Sequence, residues 1–137
     1  MKELLVDTSA YSAYLRGRED VGAALREADL LCVNPVVLGE LMAGFRKGSQ
    51  RRKNEAELKK FLMSPRVDIV DIDRLTSERY AAILEGLQRA GTPVPTSDLW
   101  IAATAMQHGL VVVTLDEHFL RIPQILVEHF PVGPSGP

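Results

Sequence analysis

The chain has 137 residues, of which 46% are hydrophobic and 25% charged, as is ordinary for one globular domain. Its net charge of −2 argues against a general polyanion binder. Cys32 is the only cysteine, which excludes an internal disulfide and a cysteine-rich zinc site. We find no signal peptide at the amino terminus and no apolar run of membrane-spanning length, so we expect a cytoplasmic protein.

Short apolar segments alternate with helical patterns along the chain. Strands are predicted over residues 4–6, 30–33, 67–72, 110–114 and 125–127. Helices are predicted over residues 10–15, 20–28, 35–47, 54–63, 77–90 and 96–108. The second and fourth strands are continuously apolar, as in parallel strands covered on both faces, whereas Asp68 and Asp71 indicate an edge position for the third.

This alternation predicts an α/β fold, a three-layer α/β/α sandwich with a mainly parallel central sheet. Residues 1–130 are expected to form a single domain. Residues 131–137 are a Pro/Gly tail without core-forming residues, and we predict that it is disordered.

Capping residues mark the predicted starts of several helices. Asn34 precedes a proline, Thr76 is expected to cap the helix over 77–90, and Thr96 or Ser97 the helix over 96–108. The last of these helices carries apolar or small residues on every face, so we expect it to be buried. Asp98 lies in its first turn, where free N–H groups stabilise a carboxylate.

Four acidic residues are predicted to meet at one edge of the sheet. Asp7 and Asp116 directly follow apolar strands, Asp98 opens a helix, and Glu40 lies early in another. Ligands of parallel sheets bind outside the carboxyl ends of the strands. Two carboxylates about 5 Å apart repel by roughly 3 kcal/mol at a dielectric constant of about 20. Either some of these acids are therefore protonated or a cation is bound.

The side chains around these acids fit phosphodiester cleavage. Oxygen ligands without histidine or cysteine favour Mg²⁺ or Mn²⁺, which activate water and stabilise the attacking and leaving oxygens. The hydroxyls of Thr8, Ser9 and Thr114 are suited to orient the carboxylates. Each acid alone is more often a cap or a solvated residue, but their joint placement favours a site.

Four sequence blocks resemble those of PIN-domain ribonucleases. They are LVDTS at 5–9, GEL at 39–41, TSD at 96–98 with IAATA at 101–105, and VTLD at 113–116. In length and order the chain is similar to the VapC toxins of type II toxin–antitoxin pairs, and the resemblance covers roughly residues 4 to 130.

The resemblance implies a metal-dependent endoribonuclease with a defined set of site residues. Asp7 and Asp98 would be the most direct ligands of Mg²⁺ or Mn²⁺, Glu40 and Asp116 would complete the pocket, and Thr114 would hold it in shape. It also implies a homodimer and an antitoxin that blocks the pocket. Glu117 is an alternative to Asp116.

One basic cluster has two interpretations. It is a solvated helix–loop–helix face or a surface that binds RNA phosphates beside the pocket. Its members are Arg46, Lys47, Arg51, Arg52 and Lys53, with Lys59 and Lys60 further on.

Aromatic and histidine side chains are weaker candidates. Tyr11, Tyr14 and Trp100 are suited to stacking on bases, but core or interface packing is the favoured role. The three histidines show no metal-ligand spacing, and His118 is the first exception to check because it follows Asp116 closely.

Three other functions remain open. The first is a PIN-like nuclease of RNA maturation or decay without an antitoxin. The second is a non-catalytic RNA- or protein-binding module that holds a metal structurally. The third, phosphotransfer through Asp7, is disfavoured because such domains place a second aspartate two residues later, where Ser9 stands.

Overall fold

The computed structural model describes residues 1–133. Its strands are β1 (Glu3–Val6), β2 (Leu30–Val33), β3 (Val67–Ile69), β4 (Val111–Thr114) and β5 (Leu126–His129). Its helices are α1 (Thr8–Leu15), α2 (Glu19–Glu27), α3 (Pro35–Lys47), α4 (Arg51–Leu62), α5 (Arg74–Ala90) and α6 (Thr96–His108). A 3₁₀ helix, Glu117–Arg121, lies between β4 and β5 and was not predicted from the sequence.

The strands form one parallel sheet in the order β3-β2-β1-β4-β5. The predicted α/β fold with a parallel central sheet is therefore confirmed, and β3 is an edge strand as expected. From β1 the chain moves outward through β2 and β3, then crosses back to β4 on the other side of β1. Right-handed crossovers therefore place α1 to α4 on one face and α5 and α6 on the other.

The core lies on both faces of the central strands. Leu4, Leu5 and Val6 of β1 are fully buried, because β1 is paired on both sides and covered on both faces. The buried stretch Ile101–Ala105 of α6 confirms that this helix is a core element. Within residues 1–133, every helix is too short or too polar to cross a membrane.

Several element boundaries differ from the predictions. Asp73 caps α5 and forms a capping box with Thr76, so the prediction of Thr76 as the cap is wrong. Pro95 occupies the cap position of α6 without a side-chain bond, so the predicted capping by Thr96 or Ser97 is also wrong. The third strand ends at Ile69 rather than at 72.

The carboxyl-terminal segment runs back to the start of α2. Arg18 Nη1 donates to the carbonyl oxygens of Pro131 and Gly133, at 2.6 and 2.8 Å. The rest of the predicted disordered tail, residues 134–137, lies outside the described residues.

Candidate active site

The site lies between β1 and β4, where the strand order changes direction. This position is where parallel sheets bind ligands, because loops to either side diverge and leave a crevice. Asp7 follows β1 directly, and Asp116 follows β4 by two residues. The sheet register therefore brings together two acids that are far apart in the chain.

Asp7 is 4% exposed and is held by a dense set of donors. Its Oδ1 accepts the backbone N–H of Ala10 at 2.8 Å, which makes Asp7 the cap of α1. Thr114 Oγ1 donates to Asp7 Oδ2 at 2.6 Å, and Ser9 Oγ lies 2.8 Å from Oδ1. These bonds fix the carboxylate at the edge of the sheet.

Ser9 and Thr114 also hold the loop after β4. Thr114 Oγ1 accepts the Asp116 N–H at 2.8 Å, and Ser9 Oγ accepts the Leu115 N–H at 2.9 Å. The two hydroxyl oxygens are 3.3 Å apart. Each hydroxyl thus connects the Asp7 carboxylate with the backbone that carries Asp116.

Asp98 and Asp116 converge on His118. Asp98 lies in the first turn of α6 and is 9% exposed. His118 Nδ1 is 3.1 Å from Asp98 Oδ2 and 2.9 Å from Asp116 Oδ1. The His118 N–H donates to Asp116 Oδ1 at 2.9 Å, which starts the 3₁₀ helix and directs the imidazole toward the acids.

Burial and mutual repulsion raise the pKa values of two of these acids. Desolvation is the main cause that raises the pKa of Asp98 to about 6, with a further contribution from the charge of Asp116, and His118 partly opposes it. Desolvation also raises the pKa of Asp7, against the lowering effect of the bonds from Thr114, Ala10 and Ser9. Burial therefore disfavours the charged form of both acids, and the charge of Asp116 adds a smaller repulsion.

Glu40 lies beside this group on α3. It is exposed, and its Oε1 accepts a bond from Thr8 Oγ1 at 2.6 Å. Thr8 directly follows Asp7, so the start of α1 connects Glu40 to the rest of the site. Glu117 is also exposed, and it is Asp116 that contacts His118.

The donor set fits a divalent cation. Among the described residues, Asp98, Asp116 and His118 each offer one ligand atom, and these atoms lie within 4.8 Å of one another. Carboxylates suit hard divalent ions, and imidazole suits transition-metal ions. A bound cation would offset the desolvation and the repulsion from Asp116 that raise the pKa of Asp98.

A groove of about 690 Å³ opens beside Asp116 and His118. Arg16, Arg121 and Val132 contribute to its walls. Sequence reasoning did not single out these arginines, because neither belongs to a basic run. It undervalued His118 as well, since the partner Asp98 is 20 residues away in the chain.

The other candidates lie in different surroundings. Tyr11 is buried in the core, with its ring centroid 5.1 Å from that of Phe61. Trp100 stacks on Tyr80 at 4.3 Å. The predicted basic cluster is exposed throughout, and Arg51 pairs with Glu55 at 3.3 Å.

A parallel sheet with carboxylates at its switch point is the arrangement expected of a PIN domain, and the PIN domain family model matches residues 4–125. Ribonuclease VapC4 of Mycobacterium tuberculosis is 34% identical over 95 residues, which cover 69% of this chain and 73% of that protein. The tRNA(fMet)-specific endonuclease VapC of Salmonella typhimurium is 35% identical over 99 residues, covering 72% and 74%. The chain in the crystal structure of DNA-bound VapBC from Salmonella typhimurium superposes with a TM-score of 0.82 at 30% identity, covering 94% of this chain and 98% of that one. This chain therefore belongs to the PIN-domain family and, within it, to the VapC ribonucleases.

Proposed function

We propose that this protein is a metal-dependent endoribonuclease and the toxin of a toxin–antitoxin pair. The observation that carries the proposal is the convergence of Asp7, Asp98 and Asp116 at the switch point, with the pKa of Asp98 raised to about 6. Burying carboxylates this close together costs desolvation and repulsion, which a bound cation would offset. The names of the VapC relatives support RNA as the substrate.

The residues divide into those that bind the ion and those that position the ligands. Asp7, Asp98 and Asp116 would hold Mg²⁺ or Mn²⁺, and Glu40 would complete the acidic pocket. When bound, such an ion lowers the pKa of water and stabilises charge on a phosphodiester. Thr114 and Ser9 restrain Asp7, and Thr8 restrains Glu40.

Cationic side chains bind the substrate backbone around this acidic centre. Arg16 and Arg121 stand in the walls of the groove that contains Asp116. They are positioned to attract phosphates that the carboxylates would otherwise repel. The exposed basic cluster over residues 46–53 is a second candidate surface for RNA phosphates.

A partner protein controls the activity in this proposal. One structural neighbour at 30% identity is a VapBC complex, which supports an antitoxin for this chain. A homodimer, as the resemblance implies, is also part of the proposal. Both partners act in the cytoplasm. A small reading frame beside the gene is the candidate antitoxin, and its product is expected to copurify with this protein and to inhibit it.

The direct test is cleavage of cellular RNA by purified protein with Mg²⁺ or Mn²⁺. Loss of even an outer-sphere partner of a metal typically costs 10–100-fold. Because Asp98 is a direct ligand in this proposal, Asp98→Asn is expected to reduce cleavage by about 100-fold or more. Asp71→Asn is the matched control, because Asp71 is exposed and outside the site. Cleavage that persists in folded Asp98→Asn or in excess chelator would refute the proposal.

A further inference from the structure

His118 places a nitrogen donor in a site otherwise made of oxygen. Its Nδ1 lies between the two carboxylates, 3.1 Å from Asp98 Oδ2 and 2.9 Å from Asp116 Oδ1. Among residues 1–133, Asp98, Asp116 and His118 form the group whose ligand atoms are close enough together to bind one ion. The imidazole therefore belongs to the centre of the site rather than to its rim.

The two distances fit neighbouring ligands of one ion as well as hydrogen bonds. Oxygen ligands of an octahedral ion lie about 2.0–2.1 Å from it, so neighbouring ligands are roughly 2.8–3.0 Å apart. The observed 2.9 and 3.1 Å are close to that spacing. A single Nδ1–H can point well at only one of the two oxygens, whereas an ion between the three atoms satisfies all of them.

The backbone holds His118 in this position independently of the imidazole. The His118 N–H donates to Asp116 Oδ1, and the next residue, Phe119, is fully buried. Ile122, directly after the 3₁₀ helix, is 2% exposed. The short helix is thus anchored in the core on one side and presents its imidazole to the acids on the other.

We infer that His118 is a direct ligand of the metal ion and makes the site prefer a first-row transition ion, represented by Mn²⁺, over Mg²⁺. Mg²⁺ is a hard cation that binds oxygen, whereas imidazole favours transition ions. This inference rests on the proposed function, because it concerns the metal of that same site. It chooses between the two ions that the oxygen ligands alone leave equivalent.

The test is pulsed electron paramagnetic resonance of Mn²⁺ bound to the full chain, which detects a directly coordinated nitrogen through its ¹⁴N coupling. Wild type is expected to show this coupling, and protein with ¹⁵N-labelled histidine to show the ¹⁵N pattern instead. His118→Gln is expected to lose it. His108→Gln is the matched control and is expected to keep it, since His108 is exposed at the far end of α6.

Calorimetry provides the second readout. His118→Gln is expected to raise the Kd for Mn²⁺ by about 10-fold or more, and to change the Kd for Mg²⁺ by less than about threefold. Circular dichroism checks that the variant is folded. The wild type with ¹⁵N-labelled histidine tests for a histidine ligand without any substitution, so its result does not depend on the folding of a variant.

Three outcomes would overturn the inference: Mn²⁺ bound without nitrogen coupling, equal losses for both ions, or no binding of Mn²⁺. The first two leave the proposed nuclease intact. Nitrogen coupling in a protein that does not cleave RNA would instead support His118 as a ligand and refute the proposed function.

Discussion

Asp7 shows how one side chain can serve the fold and the site together. It ends β1, caps α1 and accepts the hydroxyl of Thr114 from the neighbouring strand. Its oxygens are thus positioned by backbone elements rather than by flexible neighbours. A carboxylate restrained in this way is ready to bind an ion without further ordering.

Thr114→Val tests this restraint. Valine has a similar shape but removes the buried donor to Asp7 and the partly buried acceptor for the Asp116 N–H. We expect a loss of about 1–3 kcal/mol in the free energy of unfolding, together with slower RNA cleavage. Urea unfolding and cleavage assays measure the two effects. Thr114→Ser retains the hydroxyl and is expected to keep most of the stability and most of the cleavage rate. Equal losses in Thr114→Val and Thr114→Ser would contradict this role of the hydroxyl.

The pKa of Asp98 predicts a pH dependence of stability in the metal-free protein. Because this pKa rises from 3.8 to about 6 on folding, the folded state binds the proton more tightly. The resulting stabilisation is complete below about pH 4 and is lost as the pH rises through about 6. It amounts to at most about 3 kcal/mol.

The measurement compares wild type with Asp98→Asn in urea and excess chelator between pH 4 and 7. As the pH rises from 4 to 7, wild type is expected to lose unfolding free energy relative to Asp98→Asn, because the side-chain amide of the variant does not titrate. Parallel curves for the two proteins would contradict the prediction.

Single residues were predictable where a local signal marks them. Asp7 and Asp116 follow apolar strands and Asp98 opens a helix, so their convergence was foreseeable. The role of His118 was not, because its contact with Asp98 depends on how α6 packs beside the 3₁₀ helix. No spacing within the sequence encodes that contact.

At the scale of elements, α3 is positioned by its cap. Asn34 is buried, its Oδ1 accepts the Val37 N–H at 3.0 Å, and its Nδ2 donates to Thr104 Oγ1 of α6 at 3.0 Å. One amide therefore starts the helix that carries Glu40 and joins it to the helix that carries Asp98.

Asn34→Ala is expected to destabilise the protein by about 1–3 kcal/mol, because it removes the cap and leaves buried groups unpaired. Asn34→Asp separates the two roles, since it keeps the cap acceptor and loses the donor to Thr104. We expect it to be intermediate in thermal and urea unfolding. An alanine variant as stable as wild type would show that this cap is unimportant.

The errors in helix starts have a physical origin. Asp73 and Thr76 are both good caps by composition, and the structure uses them together in a capping box. Gln107 of α6 donates to Asp73 Oδ1 at 3.0 Å, which adds a tertiary preference for this arrangement. Local sequence offers candidates, and packing of α5 on α6 selects between them.

At the scale of the whole molecule, the distribution of charge governs access of RNA to the acidic centre. We expect the double substitution Arg16→Ala/Arg121→Ala to weaken RNA binding, measured in the inactive Asp98→Asn protein. The slope of log K against the logarithm of the salt concentration is expected to become shallower by about 1–2, one unit for each lost phosphate contact. Titrations at several salt concentrations measure both quantities. Arg89→Ala is the control, because Arg89 is exposed on α5 and pairs with Glu85.

The same titration applies to the basic cluster over residues 46–53. Arg51→Glu/Arg52→Glu is expected to weaken binding and to flatten its salt dependence if RNA extends from the groove to this surface. Unchanged affinity would identify the cluster as a solvated helix face.

The architecture was predictable because strands and helices alternate, but the strand order was not. In the observed order β3-β2-β1-β4-β5, β1 and β4 are neighbours. That adjacency depends on which apolar faces pack best across the sheet, a global property that short sequence windows do not contain.

The central position of β1 also has a consequence for synthesis on the ribosome. The bond between Thr114 and Asp7 joins residues 107 positions apart, and β4 is the last strand but one to be made. A nascent chain must expose every residue from β1 through β4 outside the exit tunnel before β1 gains this neighbour. The carboxylates are thus brought together only after β4 has emerged, so products of this gene truncated before β4 are expected to be harmless to the RNA of the cell that makes them.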